Sequence, residues 1–195
     1  MFGRRKQTST RIDTLIGKAA TLNGDLVFSG GLHLDGRING NVISSADDGG
    51  ALSVSESGFI EGNVDVTNIV MNGTVNGDLE FSGGLHLDGR VNGNVKASSA
   101  DGGALSVSES GFIEGRVEVT NIVMNGTVNG DMYARERLVL GEKARVNGNV
   151  YYGVIEMAPG AVITGKLIPL ANGAAPAPAG APAEPAKVAA VKTGA

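Results

Sequence analysis

The chain has 195 residues, 31 of them glycine, with no cysteine, no tryptophan and only two histidines. Those counts exclude a disulfide framework, a thiolate nucleophile, a zinc ribbon and a three-histidine metal centre. The net charge of −4 is unevenly placed: residues 1–11 carry +4, residues 12–170 carry −9 and residues 171–195 carry +1. A mildly acidic body lacks the basic face that nucleic acid requires. No apolar run approaches the ~18 residues of a membrane span. The N-terminus has no secretory-type apolar stretch, so the cytoplasm is the expected compartment.

In chain order, residues 1–11 read as a disordered basic arm. Within it, Met1, Phe2, Arg4, Arg5 and Lys6 form a candidate membrane-binding stretch. Phe2 can insert at an interface while the cations meet anionic headgroups, each contributing roughly 1 kcal/mol near such a surface. A single arm binds weakly, and many arms on a polymer bind tightly. Residues 12–170 are a patterned body. Residues 171–195, with 11 Ala and four of the six Pro, read as a disordered tail that cannot build a core.

The body is a repeat. Residues 25–77 and 78–130 align without a gap and match at 45 of 53 positions. The differences are Val27/Glu80, Ile38/Val91, Ile43/Lys96, Ser44/Ala97, Ala46/Ser99, Asp47/Ala100, Asn63/Arg116 and Asp65/Glu118. Of these, only Ile38/Val91 reads as a core exchange. A shorter motif, aliphatic–polar–Gly, recurs nine times, at Leu22, Ile38, Ile60, Val75, Val91, Ile113, Val128, Val146 and Ile163. Successive members are 16, 22, 15, 16, 22, 15, 18 and 17 residues apart. The two long gaps hold the polar loops 44–50 and 98–103.

Pairs such as Leu32/Leu34, Leu52/Val54 and Val64/Val66 alternate by two, which is strand periodicity. A fixed unit near 16 residues with Gly and Asn at its bends predicts a coil of three short strands rather than hairpins. The body is therefore expected to be a single-stranded parallel β-helix, an all-β solenoid of eight or nine coils. At ~4.8 Å per coil, nine coils make a rod about 40 Å long. Duplicating 53 residues inserts three complete coils and keeps the register, because each coil contacts only its neighbours.

A β-helix has two open ends, and uncovered strand edges are templates for pairing. No polar cap is legible at either. Ile12, Leu15 and Ile16 are the candidate N-terminal polymer interface. Val154, Ile155, Val162, Ile163, Leu167 and Ile168 are the candidate C-terminal one, with Pro169 the sole blunting residue. End-to-end self-association without a nucleotide or other cofactor is the expectation.

The stretches 12–42 (IDTLIGKAATLNGDLVFSGGLHLDGRINGNV) and 137–167 (RLVLGEKARVNGNVYYGVIEMAPGAVITGKL) resemble the opening and closing coils of bactofilins. The resemblance covers nearly all of 12–168. It implies a right-handed β-helix that polymerises into non-polar bacterial cytoskeletal filaments serving cell shape, local cell-wall synthesis or polar structures. Met1-Phe2-Gly3-Arg4-Arg5-Lys6 is similar to the membrane-attachment stretch of many members. The implied partners are further copies of the chain, an anionic membrane at its inner face, and cell-wall or polar proteins. The three extra coils and the two loops depart from the family pattern.

Other signals read as surface features. His33 and His86 lie between inward leucines and so face outward, three coils or about 14 Å apart, too far to share a metal. Asp35/Arg37 and Asp88/Arg90 read as surface ion pairs, and of Tyr151 and Tyr152 one ring is expected inward as filler. No catalytic, cofactor-binding or metal-binding residue is assigned, and the chain is read as a non-enzyme. The alternative is a β-helix enzyme of the hexapeptide acyltransferase type, whose six-residue period and interfacial histidine are missing here.

Overall fold

Short runs of alternating apolar residues, each stopped by a glycine or an Asx residue, can pair only with equivalent runs one coil away. In the computed structural model, which describes residues 12–45, 50–98 and 103–170, they do so throughout. The basic arm, the Pro/Ala tail and the centres of both polar loops lie outside the described residues. The described residues form 24 strands and no helix, and the strand pairings are parallel. The strands stack as the three faces of a nine-coil solenoid.

One face carries the recurring glycine motif and is called the motif face. Its strands are Thr21–Asn23, Arg37–Asn39, Phe59–Glu61, Thr74–Asn76, Arg90–Asn92, Phe112–Glu114, Thr127–Asn129, Arg145–Asn147 and Val162–Thr164. All nine motif aliphatics stand in one inward column, Leu22 on Ile38, Ile38 on Ile60, and so on to Val146 on Ile163. The second face starts with Leu26–Phe28 and Val42–Ser44 and ends with Leu167–Pro169; it is called the charged face. The third starts with Ile12–Ile16 and Gly31–Leu34 and carries both histidines; it is called the histidine face. In the last coils three long strands, Val117–Met124, Met132–Leu140 and Val150–Met157, run round the corner and serve both of these faces.

The core is the stack of inward columns. Leu32, Leu34, Leu52, Val54, Ile60, Val64 and Phe81 are each at most 2% exposed. Ser44 and Ala97 also stand in an inward column, paired with Phe28 and Phe81. That exchange, with Ile38/Val91, therefore touches the interior too, which alternation alone left hidden beside the loops.

Glycine is required where the motif face turns. Gly77 has φ +152°, and a Cβ there would lie 2.2 Å from the Gly62 carbonyl oxygen. The same geometry recurs in every later coil, so the glycines form a ladder of backbones packed on backbones. One residue on, a second ladder runs down the corner. The Asn41 backbone N–H and side-chain amide both donate to Asp25 Oδ1, and the Asn63 N–H donates to Asn41 Oδ1. The series continues through Asp78 and Asn94, fails at Arg116, which has no acceptor, and resumes at Asp131, Asn149 and Lys166.

The outward residues of the motif face reveal a longer period than the duplication alone. They read Thr21–Arg37–Phe59, Thr74–Arg90–Phe112 and Thr127–Arg145–Val162. The rod is thus three units of three coils, the third diverged. Arg37 lies over the Phe59 ring at 4.2 Å and Arg90 over Phe112 at 4.5 Å. These cation–π contacts replace the expected Asp35/Arg37 and Asp88/Arg90 ion pairs. Each arginine has passed the corner onto another face, so Asp35 faces His33 at 3.6 Å and Asp88 faces His86 at 3.2 Å.

Gly77→Ala is expected to destabilise the rod by at least ~1–3 kcal/mol of backbone strain, with the carbonyl clash in addition. Gly24→Ala, where a Cβ meets nothing within 4 Å, is expected to cost only the strain of its positive φ. Urea midpoints of the two variants, measured under conditions that hold the protein monomeric, check the difference.

Candidate functional site

A solenoid buries each coil between two others, so the first and last coils are left with one uncovered side. At the N-terminal tip the inward side chains are Thr14, Ile16, Leu22, Leu26 and Phe28; all but Phe28 are only half-buried. Ile12 and Leu15 are placed differently. They pair with Gly31 and His33 on the outside of the histidine face and are 56% and 64% exposed. At the C-terminal tip, Ile155, Met157, Ile163 and Leu167 extend the core columns. Met157 and Leu167 are 44% and 45% exposed, although their counterparts one coil back, Leu140 and Val150, are fully buried. Val154, Val162 and Ile168 lie in outward rows beside this tip. The structure therefore gathers Ile16 at one tip, and Ile155, Ile163 and Leu167 at the other, and puts the remaining candidates on flanking faces.

Leu22, Leu26, Phe28 and Met157 join the tips unanticipated. The signal was available: they occupy the same repeat positions as fully buried residues, in the coils that have no further neighbour.

Backbone groups at the tips follow the same register. Gly130 N donates to Asn147 O, Gly148 N to Thr164 O and Val150 N to Lys166 O. The next donors in these series are Gly165 and Leu167, and among the described residues no further strand stands beyond them. At the other tip the Asn23 and Asp25 carbonyls are the acceptors with no preceding coil among the described residues. Each tip is thus an apolar cross-section ringed by strand-pairing groups.

The lateral faces differ in charge. The central outward row of the charged face reads Val27, Ile43, Asp65, Glu80, Lys96, Glu118, Tyr133, Tyr151 and Ile168. Partial burial, and then the Glu80 carboxylate one coil away, hold the Asp65 carboxyl above its ordinary value. Arg135 pairs with Glu118 at 2.5 Å. Tyr133 stacks on Tyr151 with centroids 4.3 Å apart, and Arg116 approaches its other side. Burial, and then the Tyr151 hydroxyl, push the Tyr133 phenol upward. Tyr152 turns inward against the core, as the expected filler. His33 and His86 face outward on the histidine face, separated by the rungs of Ser53 and Val70. Among the described residues no three His, Asp or Glu gather as a metal ion would require. Met1, Phe2, Arg4, Arg5 and Lys6 lie outside the described residues.

Fold and tips together define a β-solenoid rod of structural type, with its least satisfied surfaces at its two ends. The chain matches the Bactofilin family model, described as polymer-forming cytoskeletal, over residues 14–87 and again over 74–168. Over 101 residues it is 29% identical to bactofilin BacO of Myxococcus xanthus (strain DK1622), a stretch covering 52% of this chain and 74% of that protein. No solved structure matches it. The chain belongs to the bactofilin family.

Asp65→Asn removes a carboxylate whose ionisation the fold opposes. With the folded value above the unfolded one, ionised Asp65 costs stability at neutral pH, and protonation relieves that cost. The variant is expected to melt at a slightly higher temperature than the wild type at pH 7. The gain should vanish as pH falls through the carboxylate range. Paired melting curves across pH 3–7 check both the sign and the window.

Proposed function

We propose that this bactofilin polymerises by stacking its rods end to end, without nucleotide, into a filament that serves as a scaffold. The observation that carries this reading is the pair of apolar tips, each uncovered among the described residues and each with strand-pairing groups pointing away from the rod. Joining two tips covers four or so half-buried apolar side chains on each partner, at roughly 1 kcal/mol or more apiece. It also pairs backbone N–H and C=O groups that the free tips leave to water. No hydrolysis is needed to drive such an association, because burial and strand pairing suffice.

The scaffold is proposed to lie against the inner face of the membrane, held by the N-terminal arms, and there to position cell-wall or polar machinery. The support is the composition of residues 1–11: one aromatic next to three cations, repeated once per protomer. In this reading the chain performs no catalysis, which agrees with its membership of a structural family.

Ile163→Arg, or Leu167→Arg, places a cation in the C-terminal cross-section without entering the buried core. Either is expected to move most of the protein from the high-speed pellet to the supernatant, and Leu26→Arg is expected to do the same from the other tip. Unchanged pelleted mass in all three would reject the tips as the joint. Dispersed trimers of wild-type protein under negative stain would instead favour an acyltransferase-like solenoid. Deleting residues 2–6 is expected to release the polymer from anionic liposomes while leaving filaments intact; retained binding would place the anchor elsewhere.

A further inference from the structure

The three faces of the rod have not diverged equally. Of the eight differences between the 53-residue copies, four lie in strands of the charged face, one at its corner with the motif face and two in the polar loops. All three of its central outward positions have changed: Val27 to Glu80, Ile43 to Lys96 and Asp65 to Glu118. On the histidine face every outward position is kept. One outward row repeats Gly31, Ala51, Asn68 as Gly84, Ala104, Asn121; the other repeats His33, Ser53, Val70 as His86, Ser106, Val123.

These two rows give the face a relief. The small residues of the first row floor an open apolar groove of about 420 Å³ along the rod. The second row stands beside it as a ridge, with Val70 and Val123 45% and 54% exposed. Over these six coils neither row carries Lys, Arg, Asp or Glu.

We propose that the histidine face is a lateral contact between copies of this chain, joining neighbouring filaments side by side, ridge into groove. The contact is self-complementary in one orientation. Turning a second rod about an axis along its length lays each ridge in the other's groove. Turning it about the strand direction sets ridge on ridge and brings the edge of Asp35, Glu56 and Asp88, next to the motif face, against the same edge of the partner. Paired rods are therefore parallel. The same acidic edge, and the lack of Lys and Arg in the two rows over these six coils, oppose its lying on an anionic membrane.

Size explains when the contact forms. Six coils at ~4.8 Å and strands about four residues wide at ~3.3 Å per residue make a patch on the order of 400 Å² per rod. Two such patches total about 800 Å², below the ~1,200 Å² of a stable specific interface. Isolated rods pair weakly, whereas a filament repeats the contact at every protomer and gains by multivalency. In that respect the proposal rests on end-to-end stacking.

The test is the double variant Val70→Lys/Val123→Lys, which charges the ridge and leaves both tips untouched. Wild-type filaments are expected to run in pairs under negative stain. The variant should give single filaments of unchanged high-speed pelleting, with its low-speed pelleting reduced about tenfold. Val27→Lys, on the charged face, should leave pairing intact. Pairs persisting in the double variant, or wild-type filaments running singly, would overturn the assignment. So would a double variant that keeps its pairs but no longer sediments with phosphatidylcholine vesicles, an outcome that gives the face to lipid. A tip-blocked rod carrying Ile163→Arg, Leu167→Arg and Ser53→Cys separates this contact from stacking. At high concentration a short bismaleimide is expected to trap dimers of it, and Val70→Lys/Val123→Lys should abolish them. Absence of trapped dimers rejects the face even if filaments form. Trapped dimers with no wild-type filaments would reject the end-to-end joint instead.

Discussion

Backbone on backbone, one coil above the next in strict register, is the constraint that organises this molecule. The glycine ladder at the motif-face turn makes it visible. Each glycine has a positive φ, and from Gly40 onward each lies so close to the carbonyl of the preceding one that no side chain fits. That contact forces every coil to repeat the path of its neighbour. The inward columns, the Asx ladder and the rows of outward residues follow from it, since equivalent positions must lie directly above one another.

The same constraint separates what stabilises the fold from what the surface is free to do. Inward positions tolerate little: Ile38/Val91 and Ser44/Ala97 are small changes of volume, as a close-packed column demands. Outward positions can gain a charge outright, as Ile43/Lys96 does. Polar interactions are then local trades between adjacent coils. Arg116 lacks the oxygen that would accept the Asp131 N–H, and lies toward the Tyr133 ring instead.

Most of the architecture was legible in the sequence because the repeat has two nested signals, alternation by two and a glycine motif near every sixteenth residue. Nine motifs correspond to nine coils, and each motif aliphatic stands in one column. Side-chain direction at the ends was less legible. Ile12 and Leu15 belong to an apolar run, and hydrophobicity alone does not say which of its residues face the axis; the pairing of Leu15 with His33 does. Leu22 and Leu26 became tip residues only once the first coil was seen to have no predecessor. The third three-coil unit was hidden because its motifs are spaced 18 and 17 residues apart instead of 16 and 22, so it does not align without gaps, although TVNGD (127–131) and RVNGNV (145–150) repeat 74–78 and 90–95. The Asp35/Arg37 pair failed for a related reason: two residues apart in sequence can mean two different faces once a corner intervenes.

The three-unit construction also makes the rod a gauge. Every unit enters and leaves at the same corner and on the same heading, so a whole unit can be gained or lost with both joints preserved. What changes is length alone, in increments of about 14 Å at three coils of ~4.8 Å. In the filament proposed above, copy number within the gene would thus be a dial for protomer spacing, and hence for the pitch at which N-terminal arms recur.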